Sequence, residues 1–247
     1  MSSLSARKQI RKKKKKMKKK AVVSITVILI LLSILLIGTL SVSKATVSNL
    51  DAKPIKHESI DNKYMVLVNR KNKVDEKFSP NDLVIPNIKF LRANSTNKYL
   101  SKDVAVAIEN LFNKAARENI NLRGVSGYRS YKYQKNLYRN NIIKSGKTQT
   151  NKYMAQPGTS EHQTGLAIDI LSSDYASLDE GFENTNAYRW LLENISEYGF
   201  IIRYPKEKQD ITGYAYEPWH LRYVGKTAAT EINKKGITLE EYLNENK

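Results

Sequence analysis

Three histidines occur in the 247 residues, His57, His162 and His220, and two of them stand near carboxylates at spacings that can do chemistry. In Ser160-Glu161-His162-Gln163-Thr164-Gly165-Leu166-Ala167-Ile168-Asp169 a histidine precedes a glycine turn, and an aspartate lies in the apolar stretch that follows. The turn lets both side chains converge on one point. Strand alternation there sends Leu166, Ile168 and Ile170 toward a core and leaves Ala167 and Asp169 on the opposite side, where a carboxylate needs a cation or hydrogen-bond donors. In Glu217-Pro218-Trp219-His220 the proline drives Glu217 out of the α region. Polyproline geometry, with about three residues per turn, would then aim positions 217 and 220 to the same side.

Catalytic zinc takes three protein ligands and leaves a fourth position for water, and two histidines with one carboxylate meet that rule. His162, Asp169 and His220 are therefore the candidate ligands. The chain has no cysteine, which excludes disulfides and thiol catalysis and leaves imidazole and carboxylate as the donors for a metal. Glu217 is the candidate general base, placed to take a proton from a water that zinc acidifies to a pKa of about 7. Attack on an amide builds negative charge on the carbonyl oxygen, and Arg129, in Ser126-Gly127-Tyr128-Arg129-Ser130, is the candidate cation to stabilise it. His57 sits in a polar stretch and reads as a solvated linker histidine outside the site.

These residues must be positioned by strands and helices that the pattern predicts. Val104, Ala107, Ile108, Leu111, Phe112 and Ala115 recur at three- and four-residue steps, which predicts an amphipathic helix over 102–119. Leu122 to Ser126 reads as a strand ending at Gly127. Ser130 can cap a helix running to about Lys144, with Tyr131, Gln134, Leu137 and Tyr138 on one face. Thr164 to Leu171 is a strand around Asp169, and Asn186 to Tyr198 is helical and closed by Gly199. Tyr64 to Val68, Phe200 to Tyr204 and Trp219 to Val224 are further strand candidates, and Lys226 to Lys235 and Thr238 to Asn244 are terminal helices. Lys147 to Ala155 and Glu207 to Tyr214 read as loops. Strands mixed with helices without regular βαβ alternation imply an α+β fold built on an antiparallel sheet.

The formal charge of +18 sits largely in one place. Residues 1–20 hold eleven Lys or Arg and no acid, and subtracting them leaves +7 on the remainder. Ala21 to Val42 follows as an uncharged run rich in Val, Ile and Leu, and about 20 such residues span a bilayer. Because basic residues stay on the cytoplasmic side, the expected topology is single-pass type II in the cell membrane. It comprises a cytoplasmic tail at 1–20, a transmembrane signal anchor at 21–43, an extracellular linker at 44–62 and a catalytic domain at 63–247. A cleaved signal peptide is the competing reading, since Ser41-Val42-Ser43 has small residues where cleavage occurs, but the apolar run exceeds the 7 to 15 residues typical of such peptides. With the basic tail explained by topology, no nucleic-acid partner is expected.

Taken in order, Ser-Gly-Tyr-Arg-Ser at 126–130, Ser-x-His-x-x-Gly-x-Ala-x-Asp at 160–169 and Glu-x-x-His at 217–220 resemble the VanY-type zinc D,D-carboxypeptidase family. Related L,D-carboxypeptidases share the set. The likeness spans roughly residues 64 to 235. It implies zinc on His162, Asp169 and His220, a base at Glu217, Arg129 on the oxyanion or gripping substrate, and Gln134 and Ser160 holding the terminal D-residue. It also implies a compact α+β domain like the Hedgehog signalling domain, whose central antiparallel sheet carries the zinc. The expected activity is removal of the C-terminal D-Ala from peptidoglycan stem peptides. Cleavage of tetrapeptide to tripeptide by an L,D activity, a non-catalytic zinc-containing wall-binding module, and an endolysin cutting deeper in the stem are the competing expectations. The sequence leaves the oligomeric state open.

Overall fold

A computed structural model describes residues 63–92 and 96–246. The basic tail, the apolar run at 21–43 and the linker at 44–62 lie outside the described residues. Among the described residues no helix is long and apolar enough to cross a membrane.

The order of elements is β1 (Leu83–Val84), β2 (Leu100–Ser101), α1 (Lys102–Arg117), β3 (Leu122–Ser126), α2 (Tyr131–Ser145), α3 (Lys147–Tyr153), β4 (Ala167–Ser172), α4 (Asn186–Asn194), β5 (Phe200–Ile202), α5 (Gln209–Thr212), β6 (His220–Tyr223), α6 (Lys226–Lys235) and α7 (Leu239–Glu245). Single 3-10 turns at Glu161–Thr164, Glu180–Asn184 and Ile195–Tyr198 join them. The main sheet runs β3-β4-β6-β5 with every pair antiparallel, and β1 and β2 form a separate small sheet. This is the α+β class with an antiparallel sheet that the pattern predicts.

Helix α1 forms where its period predicts. Val104, Ile108, Leu111 and Ala115 make one buried stripe, and they join Ile168 and Ile170 of β4 in the core. Tyr188, Trp190 and Leu191 of α4, Ala228, Ala229 and Ile232 of α6, and Leu239 and Tyr242 of α7 complete it. Ala167 and Asp169 are buried without belonging to this core, so β4 separates two interiors, one apolar and one carrying charge. Local signals fix the helix ends. Ser130 and Thr185 accept from the amides of Tyr133 and Tyr188, and Thr238 with Glu241 forms a reciprocal capping box. The segment at 186–198 is one helix turning into a 3-10 end, closed by Gly199 at φ 83°.

Three expectations need correction. Tyr64 to Val68 is not a strand: the carbonyls of Tyr64 and Val66 are taken by Nη2 of Arg222 at 2.7 and 2.8 Å, so a side chain replaces the ladder partner. Lys147 to Ala155 is largely helical, as α3, and Glu207 to Tyr214 contains the single turn α5. On α2, the expected shared face buries only Gln134.

Packing at α1 generates a stability prediction. Leu111→Ala removes a side chain that is 0% exposed and should cost about 2–5 kcal/mol. Val106→Ala, on the 53% exposed side of the same helix, should change stability by less than about 0.5 kcal/mol. Urea unfolding followed by tryptophan fluorescence measures both, and equal costs at the two positions would mean that the buried stripe is misassigned.

Candidate metal centre

Backbone register brings the first two members together. In the β4–β6 ladder Asp169 pairs directly with His220, and directly opposed residues in an antiparallel pair hold their Cβ atoms about 4.5–5.5 Å apart. The imidazole Nδ1 of His220 lies 3.3 Å from Oδ1 of Asp169. On the other side of β4, the β3 ladder shifts register between Gly124 and Ser126, so that Ser126 faces Asp169. Such an irregularity re-aims a strand end, and the irregular segment 127–130 that follows brings Arg129 onto the aspartate.

His162 arrives from the 3-10 turn Glu161–Thr164. Gly165, at φ 71°, closes that turn, and a Cβ on it would lie 2.9 Å from Oγ of Ser101, so the chain can reverse into β4 only with glycine at this point. The carbonyl of Gly127 lies 2.8 Å from Nδ1 of His162. A carbonyl only accepts, so Nδ1 carries the proton and Nε2 is bare, 3.3 Å from Oδ2 of Asp169. The two imidazole rings stand 4.9 Å apart, nearly perpendicular at 78°.

Glu217 reaches the cluster by a different route from the polyproline geometry expected. The amide of His220 donates to the carbonyl of Glu217 at 3.2 Å, closing a four-residue turn over Pro218 and Trp219. The turn still puts both side chains on one side, with Oε2 of Glu217 3.6 Å from Nδ1 of His220. Arg129 donates through Nε to Oγ of Ser126 at 2.9 Å and through Nη2 to Oδ2 of Asp169. Gln134 donates to the carbonyl of Ala155 at 2.8 Å, while its Oε1 is buried without a partner. A cleft of about 270 Å³ is lined by Arg129, Gln134, Ser160, His162, Asp169, Glu217 and His220 together. Every residue predicted from the sequence thus lines one cavity.

Electrostatics in this buried place are dominated by carboxylates. Burial raises Glu217 to about 8, helped by the charges of Asp169 and Glu161 and partly offset by His220 and Arg129. Burial alone would lower His220, but the adjacent carboxylates of Asp169 and Glu161 outweigh that and hold it up at about 9. His162 goes the other way, to about 4, through burial and the nearby Arg129 cation. Burial opposes ionisation of Asp169 as well, yet the adjacent His162 imidazole and Arg129 guanidinium keep it well below the usual carboxylate range. Three carboxylates, those of Asp169, Glu217 and Glu161, lie within 3.3–3.6 Å of His220, a setting that suits a cation.

The donor set fits zinc. Ligand atoms about 2.0–2.2 Å from a tetrahedral zinc stand about 3.4 Å from one another, and Asp169 lies 3.3 Å from each imidazole, through Oδ2 to His162 and through Oδ1 to His220. One donor atom from each of His162, Asp169 and His220 falls within 4.8 Å of the others, all three residues being buried. Gly127 holds the far nitrogen of His162 as ligand-orienting groups do in metal sites.

One carboxylate near the cluster was not singled out from the sequence. Glu161 is fully buried and paired with Arg203 and Arg222, both at 2.6 Å. A signal for it exists: an arginine inside each of the apolar runs Phe-Ile-Ile-Arg-Tyr and Trp-His-Leu-Arg-Tyr requires a buried counter-charge. Tyr153, Met154, Leu178, Tyr204 and Tyr214 also line the cleft, and nothing in their spacing distinguished them from core or surface residues.

Comparison with known proteins gives the geometry a context. The family model VanY: D-alanyl-D-alanine carboxypeptidase matches residues 97–226. YodJ of Bacillus subtilis (strain 168) is 47% identical over 180 residues, covering 72% of this chain and 66% of YodJ, so the match spans just under two thirds of that relative. The bifunctional D-Ala-D-Ala dipeptidase and D-Ala-D-Ala carboxypeptidase VanXYC of Enterococcus gallinarum is 36% identical over 179 residues, 71% of this chain and 91% of that protein. Among solved structures, the LdcB LD-carboxypeptidase superposes with a TM-score of 0.68 at 46% identity, covering 72% of this chain and 84% of LdcB. A mutant of the VanY D,D-pentapeptidase from a VanB-type resistance cassette, in complex with Zn(II), superposes with a TM-score of 0.62 at 34% identity, covering 73% of this chain and 99% of that one. A family match over more than half of the chain, together with these relatives, places this protein in the VanY D-alanyl-D-alanine carboxypeptidase family.

Proposed function

We propose that this protein is a zinc-dependent carboxypeptidase that removes the C-terminal D-alanine from peptidoglycan stem peptides, with His162, Asp169 and His220 as the metal ligands. The observation that carries the reading is the convergence of these three donors, 3.3 Å across Asp169 on either side, with Glu217 beside them in an open cleft. Zinc there would supply Lewis acidity, polarising a carbonyl oxygen and making an attacking water acidic near neutral pH.

The chain's own groups account for the rest of the hydrolysis. Glu217, with Oε2 3.6 Å from Nδ1 of His220 at the edge of the cluster, takes the proton of the attacking water and passes it to the leaving amine. Arg129, held by Ser126 and Asp169 at the wall of the cleft, stabilises the charge that develops on the carbonyl oxygen. Gln134, with an unpaired buried Oε1, and Ser160 hold the terminal D-residue. A retained Glu217 disfavours a purely structural zinc module, which needs no base. We also propose that residues 21–43 anchor the protein in the cell membrane with the catalytic domain outside, the basic tail supporting that orientation.

An L,D activity on tetrapeptide is the second reading, favoured by the higher identity to LdcB, 46% against 34% for the VanY structure. Rates of D-alanine release from pentapeptide and tetrapeptide substrates decide between them: the first reading expects the pentapeptide to be cut at least tenfold faster, and the reverse ratio would transfer the assignment to L,D cleavage. Failure to release D-alanine from either substrate in the presence of zinc would end both.

Removal of the metal with a chelator should abolish turnover, and added zinc should restore it. Glu217→Ala should lower kcat by at least about 100-fold while zinc content, read by atomic absorption, stays at the wild-type level. His162→Ala should lose both. Full turnover in Glu217→Ala would remove this residue from the role of base.

A further inference from the structure

Glu161 is outside the ligand set, yet it is the acid most tightly enclosed around the cluster. Its side chain is 0% exposed. Oε1 receives Nε of Arg203 and Nη1 of Arg222, both at 2.6 Å. Its other oxygen, Oε2, receives neither arginine and lies 3.6 Å from Nε2 of His220. Both atoms are buried without a hydrogen-bond partner, and the gap between them is just beyond hydrogen-bond length.

Both arginines are held by further groups. Arg203 grips Glu240 of α7 through Nη1 and Nη2 at 2.8 and 2.7 Å. Arg222 is bound by the carbonyls of Tyr64 and Val66. The ladder adds a backbone tie, since the amide of Arg203 donates to the carbonyl of His220 at 3.1 Å. As a counter-ion for the arginines Glu161 needs only Oε1. The placement of Oε2 against His220 is what a purely structural role leaves without a reason.

We propose that Glu161 is a positioning residue, whose Oε2 accepts from Nε2–H of His220 and so fixes the ring with Nδ1 toward Asp169, while Arg203 and Arg222 hold the carboxylate in place. A half-turn of the ring about its Cβ–Cγ bond would set a carbon against Oδ1 of Asp169 and lose the donor. His162 is fixed in the complementary sense, its Nδ1 held by Gly127 and its Nε2 directed inward. The two histidines therefore offer different nitrogens, each selected by an oxygen on its outer side. This inference rests on the reading of His162, Asp169 and His220 as a metal cluster.

The test measures zinc dissociation constants by chelator competition for the full chain, Glu161→Gln and Glu240→Gln, with circular dichroism as the check of folding. Glu161→Gln should bind zinc 10- to 100-fold more weakly, the range seen when a ligand's outer hydrogen-bond partner is removed. Glu240→Gln, which loosens Arg203 without touching His220, should lower the melting temperature and leave zinc affinity within threefold. In parallel, 15N NMR of the zinc-loaded wild type should show His220 bound through Nδ1 with a proton on Nε2, an observation that does not require any variant to fold. Zinc affinity unchanged in folded Glu161→Gln, equal losses in the two variants, or His220 bound through Nε2 would each overturn the inference and leave the metal site standing. A wild type that binds no zinc would instead overturn the metal reading, and this inference with it.

Discussion

Glu161, Asp169 and Glu217 sit in the protein interior beside His162 and His220, where each unpaired charge would cost several kcal/mol in lost hydration. Most of the arrangement around the sheet balances that set. Arg203 and Arg222 neutralise Glu161, Arg129 leans on Asp169, and the imidazoles lie between the carboxylates. Glu217 has no arginine of its own in this network, and burial accordingly pushes it toward the protonated form. Glu217 is thus the carboxyl of the set whose proton affinity is raised, whereas Asp169 and Glu161 are held in the ionised form.

Backbone hydrogen bonds decide where those charges fall. The opposition of Asp169 and His220 is a property of the β4–β6 register, and slipping it by one residue would turn each side chain to the other face. Register is in turn secured by the apolar face of the same strand, since Ile168 and Ile170 are wholly buried in the core under α1. The hydrophobic effect thus supplies the alignment, and the polar face inherits it. Gly165 and Gly127 complete the frame from outside the ladder. One lets the chain turn back beneath His162, and the other, with a Cβ position only 2.4 Å from the carbonyl of Tyr99, brings its own carbonyl close enough to hold the imidazole.

Much of this was legible in the residues because the deciding interactions are local or periodic. Helix α1 follows from its three- and four-residue stripe, the end at Gly199 from the need for a left-handed residue, and the cap at Ser130 from a side chain that reaches the first turn. The candidate donors His162, Asp169 and His220 were picked out by the rarity of histidine and its spacing to acids, and they do meet in one buried cluster. What was missed is tertiary. Tyr64 to Val68 has strand composition, but its carbonyls are satisfied by Arg222, more than 150 residues away. The Glu217–His220 segment was expected to be polyproline-like, and a closing hydrogen bond from the amide of His220 makes it a turn. For α3, tertiary contact overrides a polar composition: Thr150 is its one buried residue, and the helix packs against α2.

Buried ionic networks are poor devices for stability alone, since well-packed apolar residues of the same volume often serve as well or better. The Glu161–Arg203–Arg222–Glu240 cluster must therefore be accounted for by something an apolar plug could not do. An apolar residue at 161 could fill the space, but it would leave Nε2–H of His220 buried without an acceptor and the ring free to choose either face. A carboxylate there gives the imidazole one preferred orientation, and the arginines ensure that the carboxylate itself has no alternative. Direction is thereby transferred from the arginines and the carboxylate they hold to a single nitrogen atom in the cleft, where an error of one ring flip would remove a donor from the cluster.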